Sequence, residues 1–283
     1  VVTKRGALFG VYDLNGNEIL PMAYDRVEVI GQTVLAVRGN TVSVLSESGT
    51  AHRQFDRTVY LADENHVYCD ERFYDLQFAE KQARGCAYLD IPFENRVSVS
   101  DLHTGFVGYA DEEGNIVIEP QFYGAGRFSE GTAVVVETDR TASVIDMQGN
   151  RLYHTQEDKL GMQYDGVRCF MRYNTYGVLD ANFREILPPF LLFVKNERAY
   201  GDYLIVKHET KETFFSLQTK NYVSLAFDEI EPLGDLFLCK SDESYSLLNR
   251  NLQTVAGGCD SVSYDGTVLT VRQNGKVAYY KKQ

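Results

Sequence analysis

The sequence predicts an all-β protein built from tandem antiparallel β-meander repeats. Three observations support this: a short motif recurs along the chain, apolar runs alternate with turn residues, and no long stretch has helical periodicity. The 283 residues include 19 Tyr and 16 Phe but no Trp. Tyr and Phe favour pleated, half-buried surfaces, so the composition also indicates β-structure.

The recurring motif is FGVYD at residues 9–13. Similar segments are VSVLS (42–46), VGYAD (107–111), ASVID (142–146), YGVLD (176–180), FSLQ (215–218), YSLLN (245–249), AYYK (278–281) and a weaker FYDLQ (73–77). Their spacing is roughly 34 residues, as in known repeat architectures. The second position is small, with Tyr74 of the weak copy as the exception; its occupants are Gly10, Ser43, Gly108, Ser143, Gly177, Ser216, Ser246 and Ala278. A small residue inside a strand indicates that a backbone or an aromatic ring packs closely over it.

The segments around each motif complete a unit of three or four short strands. Apolar runs such as TVLAVRGN precede the motif, and a polar turn with another short run, such as NIVIEP, follows it. The best helical segment, FAEKQARG at 78–85, is short. We therefore predict a single β-repeat domain over residues 1–283, with about eight to nine units, the first and last incomplete. The units stack as propeller-like blades, either as a closed ring or as an open solenoid.

The turn after the first motif, DLNGNE, has two interpretations. Closely spaced oxygens could hold calcium, whereas Asn and Gly suit a tight hairpin turn. The same place is held elsewhere by SESGTA, DEEGNI, DMQGNR, DANFRE, QTKNYV and NRNLQT. The first acid is lost in several copies while the turn character survives, so we favour the turn.

Charge and hydropathy limit the possible partners and locations. The net charge of −12 disfavours nucleic acid, and no apolar run approaches the roughly 20 residues of a membrane span. The chain begins with Val rather than Met and is rich in Tyr, from which we predict a secreted or cell-envelope protein of a bacterium. An odd number of cysteines fits an oxidising compartment poorly, so a cytoplasmic location is the alternative.

The five cysteines form no CxxC pair. Cys69, Cys169 and Cys239 lie in similar β-like runs, where Ala36 and Ala133 hold comparable places. Free Cys behaves as a small hydrophobe, so we predict that these residues fill small core positions. Disulfides or reactive thiols are the alternative.

The sequence contains little that resembles a catalytic or metal site. The histidines His52, His66, His103, His154 and His208 have no metal-ligand spacing, and GAGRFSEG (124–131) precedes no helix. We predict no metal site, no cofactor and no catalytic residue. The acids Asp25, Asp56, Asp228 and Asp260 share one repeat position, where we expect each to cap a turn.

The segment MQYDGVRCFMRYNTYG at 162–177 looks most like a binding surface. Aromatic rings beside arginine suit a peptide or sugar, and the candidate binding residues are Tyr164, Arg168, Arg172, Tyr173 and Tyr176. The competing interpretation is that the alternation in RCFMRY buries one aromatic face in the core.

The unit at 107–137 resembles the WG-type β-repeat of bacterial proteins. The residues that carry the resemblance are Gly108, Asp111, Gly114, Pro120, Phe122, Phe128, Ser129, Glu130, Gly131 and Ala133. FGVYDLNGNEILPMAYD and YGVLDANFREILPPF match its first half, although Phe9, Val107 and Tyr176 replace the Trp of the motif. The resemblance implies a β-repeat array without defined catalytic residues.

We therefore expect a non-catalytic binding or scaffolding module that presents a repeat surface to a protein or a glycan. The alternative is a carbohydrate-active hydrolase with paired carboxylates. It predicts two acids roughly 5–10 Å apart in a cleft lined by aromatic side chains.

Overall fold

The computed structural model describes the chain except residues 48, 63, 70–71, 157, 265–267 and 282–283, and gives only the backbone at 208 and 281. The described residues form 34 strands in nine antiparallel sheets and one short 3-10 helix. Compact units cover Val1–His154 and Thr155–Gln283. Among the described residues, no helix has the length and apolar character that crossing a membrane requires.

The first unit contains five sheets, in which neighbouring strands follow chain order. Their strands are β1 (Val2–Arg5), β2 (Leu8–Tyr12) and β3 (Glu18–Tyr24); β4 (Arg26–Ile30), β5 (Thr33–Arg38), β6 (Thr41–Ser46) and β7 (Gly49–Gln54); β8 (Tyr60–Leu61), β9 (His66–Cys69), β10 (Arg72–Asp75) and β11 (Glu80–Lys81); β12 (Cys86–Tyr88), β13 (Val97–Asp101), β14 (Val107–Ala110) and β15 (Ile116–Phe122); and β16 (Gly124–Ala125), β17 (Thr132–Val136), β18 (Ala142–Asp146) and β19 (Arg151–Thr155).

The second unit contains four sheets of the same kind and the 3-10 helix Lys195–Glu197. Their strands are β20 (Lys159–Tyr164), β21 (Val167–Arg172), β22 (Thr175–Asp180) and β23 (Glu185–Leu191); β24 (Phe193–Val194), β25 (Tyr203–His208), β26 (Lys211–Ser216) and β27 (Asn221–Phe227); β28 (Glu229–Leu233), β29 (Leu236–Ser241), β30 (Ser244–Asn249) and β31 (Thr254–Cys259); and β32 (Ser261–Tyr264), β33 (Val268–Gln273) and β34 (Lys276–Lys281).

The all-β prediction and the blade-like meanders are confirmed. The segment 78–85, which was the best helical candidate, is not helical; it contains β11 and a turn. Glu80 and Lys81 pair with Tyr74 and Phe73 of β10. Strand pairing therefore overrides the helix propensity of this Ala- and Glu-containing stretch.

The core lies between successive sheets. In the first unit, Leu35 and Val44 from one sheet pack with Val67 and Tyr74 from the next. In the second unit, Val178 and Leu187 pack with Leu204 and other residues of the following sheet. Each sheet thus buries its apolar faces against its neighbours in the same unit, as stacked blades do.

The residue that ends the motif caps the next turn. In DLNGNE, Asp13 Oδ1 accepts hydrogen bonds from the amides of Asn15 and Asn17, both at 2.8 Å, and Oδ2 accepts one from the Asn17 side chain. The same pair of amide bonds recurs at Asp75, Asp111, Asp146, Asp180 and Asn249. Because Asn249 accepts the same pair of hydrogen bonds without a charge, the turn needs an acceptor oxygen rather than a carboxylate. The turn interpretation of DLNGNE is confirmed.

These caps show that the weak third copy is aligned wrongly in the sequence prediction. Asp75 is its capping residue, so the small second position is held by Arg72 and not by Tyr74. Tyr74 is instead a buried core residue. The FYD segment can be aligned with the motif in two ways, which place either Tyr74 or Arg72 at the small position. The hydrogen bonds that Asp75 accepts show that the alignment with Arg72 is the correct one.

The seventh copy is also shifted. Ser216 pairs with Tyr203 just as Asp180 pairs with Val167 in the preceding sheet. Thr213, and not Ser216, therefore holds the small position. Its hydroxyl donates to the carbonyls of Val223 and Leu225 on the neighbouring strand.

The small second position is required by the neighbouring strand. A Cβ added at Gly108 would lie 2.6 Å from Pro120 N and still closer to Ile118 O, because a bulge brings β15 over it. At Gly177 it would lie 2.8 Å from Leu187 O and closer still to the Phe170 ring. The prediction that a backbone or an aromatic ring covers this position is confirmed.

The repeated aspartates cap turns as predicted. Asp25, Asp228 and Asp260 each accept a hydrogen bond from a backbone amide fourteen residues later, at Gly39, Asp242 and Asn274, over 2.6–2.7 Å. Those amides lie in the turn between the second and third strands of the same sheet. Three of the four acids therefore have a structural role.

We expect Asp146→Ala to lower the free energy of unfolding by about 1–2 kcal/mol, because it leaves the Gln148 and Asn150 amides without their acceptor. Asp146→Asn keeps one acceptor oxygen and should cost clearly less. Urea denaturation of the two variants measures the difference. Equal losses for Ala and Asn would contradict the cap.

The cap at Asp13 should make stability depend on pH. The Asn17 side chain, and then the Asn17 amide, hold the pKa of Asp13 below its usual 3.8. A carboxyl with a lowered folded pKa stabilises the fold above its unfolded pKa, and this contribution is lost as the pH falls through the folded value. Asp13→Asn should therefore reduce the loss of stability below about pH 4. Urea midpoints at neutral and acidic pH test this, and an unchanged pH dependence would contradict it.

Candidate functional site

The candidate site lies where the third sheet departs from the repeat. Arg72 holds the position that is small in most other copies, and the fourth strand β11 has only two residues. Between β10, β11 and the first strand of the next sheet lies a cavity of about 500 Å³. We call it the Arg72 cavity, and its lining includes Arg72, Glu80, Lys81, Gln82, Cys86, Tyr88 and Leu102.

Each cation of the Arg72 cavity has an acidic neighbour. Arg72 Nη1 lies 3.4 Å from both carboxylate oxygens of Glu80. Lys81 Nζ donates to Glu113 over 2.8 Å, and the pKa of Lys81 is raised chiefly by this hydrogen bond. The cavity therefore holds one close ion pair and one long one.

The thiol and the phenol of this cavity are neutral near pH 7. Burial, followed by the negative charges of Asp101 and Glu119, raises the pKa of the Cys86 thiol. Burial is also the largest cause that raises the pKa of Tyr88 to about 12. A protonated thiol is a poor nucleophile, so these groups are suited to binding rather than to covalent chemistry.

Two further cavities, as lined by the described residues, do not show the arrangement expected of a glycosidase. One of about 350 Å³ contains Asp25, Asp56 and Phe55, but these acids are repeat-equivalent and Asp25 caps a turn. Another of about 280 Å³ contains Glu47 and Glu64 without an aromatic residue among its lining. In these cavities no pair of non-equivalent acids is flanked by aromatic side chains.

Two Ser–His pairs occur at repeat-equivalent serines. Ser43 Oγ lies 2.8 Å from His52 Nδ1, and Ser143 Oγ lies 3.1 Å from His154 Nδ1. Both serines are buried, Ser143 completely, so a substrate could not reach the hydroxyl. The pairs therefore join the third and fourth strands of their sheets.

The cysteines are core residues for the most part. All five are free, and Cys69, Cys169, Cys239 and Cys259 are buried. Burial raises the pKa of Cys169 and of Cys239 to about 12. The predicted filling of core positions is confirmed, and Cys86 differs because it is half-buried in the Arg72 cavity.

The five residues predicted to bind a ligand lie on three neighbouring strands of one sheet, with Tyr164 on β20 and the other four on or between β21 and β22. Arg172, Tyr173 and Tyr176 lie around the turn between β21 and β22. Arg168 lies near the other end of the hairpin and is only 1% exposed; its Nη1 donates to Gly161 O. The structure therefore brings together three of the five residues.

The remaining contacts of these residues are with the protein itself. Arg172 forms a bidentate ion pair with the buried Asp158, in which Nε lies 2.6 Å from Oδ1 and Nη2 lies 2.8 Å from Oδ2. The guanidinium of Arg172 also lies over the Phe170 ring. The ring of Tyr164 lies under Arg198 at 5.9 Å. Tyr176 is half-buried and packs against the core of its sheet.

Tyr173 differs from the other four because it is 86% exposed and has a φ of 50°. Asn174 follows with a φ of 65°, so the two form a turn with left-handed angles at both positions. Such a turn favours Asn and Gly, and a bulky residue there is strained.

We expect Tyr173→Asn to raise the free energy of unfolding by roughly 0.5–1 kcal/mol, because Asn tolerates the left-handed conformation better. Thermal and urea denaturation provide the measurement. Tyr173→Phe should leave stability unchanged, and a destabilised Asn variant would show that the ring makes a stabilising contact.

The sequence pattern did not indicate Arg72, Cys86 and Tyr88 as site residues. A signal was present, because the copy at 73–77 is the weakest of the series. The loss of the repeat pattern marked the place, but the wrong frame concealed that Arg72 holds the small position. Among the described residues, no group of three or more His, Cys, Asp or Glu side chains is arranged for a metal ion.

Comparison with known proteins identifies the repeat. The family model for the WG containing repeat matches residues 9–30 and 108–139. The second match runs from the third strand of one sheet, β14, to the second strand of the next, β17. The sequence repeat is therefore offset from the sheets by two strands. No curated protein is a significant sequence match.

Solved structures show similarity in fold only. A structure described as the eukaryotic initiation factor has a TM-score of 0.52 and 8% identity, over 95% of this chain and 88% of that chain. BamB from Moraxella catarrhalis has a TM-score of 0.43 and 12% identity, over 99% and 97%. AztD from Citrobacter koseri has a TM-score of 0.40 and 11% identity, over 89% and 91%.

The motif residues of the family can now be explained from the geometry. Asp111 caps its turn, Gly108 lies under the bulged strand, and Phe122 and Phe128 are buried in one core cluster. The chain carries WG-type β-repeats, matched at residues 9–30 and 108–139, within antiparallel sheets of three or four strands.

Proposed function

We propose that this chain is a non-catalytic binding module in which the last strands of several sheets present apolar side chains to a protein partner. The observation that supports the proposal is a recurrence: the sixth residue after the capping residue is apolar in five of the six turns for which the described residues show the same pair of cap hydrogen bonds. These residues are Ile19, Val117, Leu152, Ile186 and Val255, which we call the outer row.

The outer row lies on the last strand of five of the sheets, namely β3, β15, β19, β23 and β31. Four of its members are 37–49% exposed, and Ile186 is half-buried. A single exposed apolar residue is ordinary, whereas the same position repeated in successive sheets of one unit, as at Val117 and Leu152, can form an extended contact surface. The sixth such turn, capped by Asp75, has Lys81 at this position instead.

The groups that could perform chemistry are engaged in structural roles. The motif aspartates cap turns, the Ser–His pairs are buried, and Cys86 and Tyr88 are neutral near pH 7. The roles of these side chains therefore fit a binding protein better than an enzyme. A glycan partner would be recognised by exposed aromatic residues such as Tyr173. We propose a bacterial cell-envelope or extracellular location, with cell fractionation as its test.

The experiment compares two double variants in cross-linking pull-downs from lysate and on a glycan array. Val117→Glu/Leu152→Glu places charges in the outer row. Leu14→Glu/Leu89→Glu adds the same charge at exposed apolar residues outside the row. We expect the row variant to lose a captured protein that the control variant retains. Equal capture by both variants, or retention on glycans alone, would overturn the proposal of a protein partner.

A further inference from the structure

We propose that the Arg72 cavity binds a carboxylate group, carried either by a small organic acid or by the C-terminus of a peptide. The inference concerns residues outside the outer row, so it can fail or succeed independently of the proposed protein partner. The volume of the Arg72 cavity, about 500 Å³, is in the usual range for ligand pockets.

The guanidinium of Arg72 has donors available for a ligand. Its contact with Glu80 is 3.4 Å long, whereas hydrogen bonds between ions are usually about 2.8 Å. The same Nη1 contacts both Glu80 oxygens, and no described residue accepts a hydrogen bond from Nε or Nη2. A planar guanidinium with free donors matches the two oxygens of a carboxylate.

Tyr88 supplies a second polar group at the cavity wall. It is 4% exposed, and its hydroxyl has no hydrogen-bond partner among the described residues. Because Tyr88 remains protonated near neutral pH, its hydroxyl can donate to an acceptor. An orphan buried hydroxyl is costly, and a ligand oxygen would remove that cost.

Arg72 is the cation of the lining that is best placed to bind an anion. Lys81 is paired with Glu113 over 2.8 Å, whereas the contact between Arg72 and Glu80 is longer, at 3.4 Å. Because each cation of the cavity has an acidic neighbour, a carboxylate would be held by the guanidinium of Arg72 rather than by a positive potential over the whole cavity.

Cys86 provides a reporter of occupancy in the unmodified protein. It is half-buried in the cavity, whereas the other four cysteines are buried and serve as internal controls. The rate of its alkylation by iodoacetamide is followed by peptide mass spectrometry. The probes are glutarate, acetyl-Ala-Ala-Ala with a free carboxylate, and the same peptide as its C-terminal amide.

We expect at least one acid to slow the alkylation of Cys86 by about fivefold or more in a saturable way, and the amide to have no effect. Protection by glutarate alone identifies a small acid, and protection by the peptide acid alone identifies a peptide C-terminus. Absence of protection by both acids, or equal protection by the amide, would overturn the proposal.

Two variants separate binding from folding. Arg72→Gln should abolish the protection, while Arg140→Gln, at an exposed arginine stacked on Tyr123 in another sheet, should retain it. Tyr88→Phe should bind the acid more weakly although its thermal stability is unchanged or raised, because an orphan hydroxyl is removed. Protection that persists in Arg72→Gln, or a Tyr88→Phe variant with unchanged binding, would contradict the assignment.

Discussion

Gly108→Ala is expected to lower the free energy of unfolding by about 3 kcal/mol. The added methyl group would lie 2.6 Å from Pro120 N and 2.8 Å from the Glu119 carbonyl carbon. These are backbone atoms of a bulged neighbouring strand, which cannot move aside as a flexible side chain can. The strand β15 would have to shift, and with it Ile118 and Phe122 of the core.

A matched control lies in the next sheet. Gly124 of β16 also has an extended backbone, but a Cβ there would meet only the Val136 side chain at 3.7 Å. Gly124→Ala should therefore change stability by less than about 0.5 kcal/mol, or raise it through the unfolded state. Urea denaturation of both variants tests the difference. If Gly108→Ala unfolds at the same midpoint as Gly124→Ala, close packing is not the reason for the small residue.

Lys195→Met is expected to destabilise the second unit by about 3 kcal/mol. Glu212 is 5% exposed, forms an ion pair with Lys195 at 3.1 Å and accepts a hydrogen bond from the Ile230 amide at 2.8 Å. Lys195 also donates to Ile230 O at 2.6 Å. Loss of the ammonium leaves a buried carboxylate with one donor fewer and frees the carbonyl of Ile230.

The control for this variant is Lys211→Met on β26 of the same unit. Lys211 pairs with Asp228, and both side chains are well exposed. An exposed pair contributes less than about 1 kcal/mol. The double variant Lys195→Met/Glu212→Leu should recover part of the loss, because it removes the unpaired charge. Equal effects of Lys195→Met and Lys211→Met would show that burial does not strengthen the first pair.

Much of the fold could be predicted because its signals are local. Alternating apolar residues indicate strands, and the capping oxygen of Asp13 or Asn249 satisfies amides two and four residues later. These patterns depend on a few neighbouring residues, so they survive from copy to copy. The small position was also predictable, since a residue without a large side chain in a strand implies a close neighbour.

The candidate site could be predicted only in part. Arg172, Tyr173 and Tyr176 lie close together because hairpin partners are close in sequence. Arg168 has the same alternation signal as an exposed residue, yet it is buried. The burial of a cation depends on a carbonyl such as that of Gly161 lying within reach, and sequence spacing does not report this.

The sequence by itself determined the β class, the repeat of roughly 34 residues, the turn caps and the close approach at the small position. Tertiary structure alone decided the frame of the third and seventh copies, the burial of Arg168 and the existence of the Arg72 cavity. The physical reason is the range of the interactions. Strand alternation and turn capping act within a few residues, whereas register, burial and cavities depend on which atoms of the neighbouring strand or sheet are opposite.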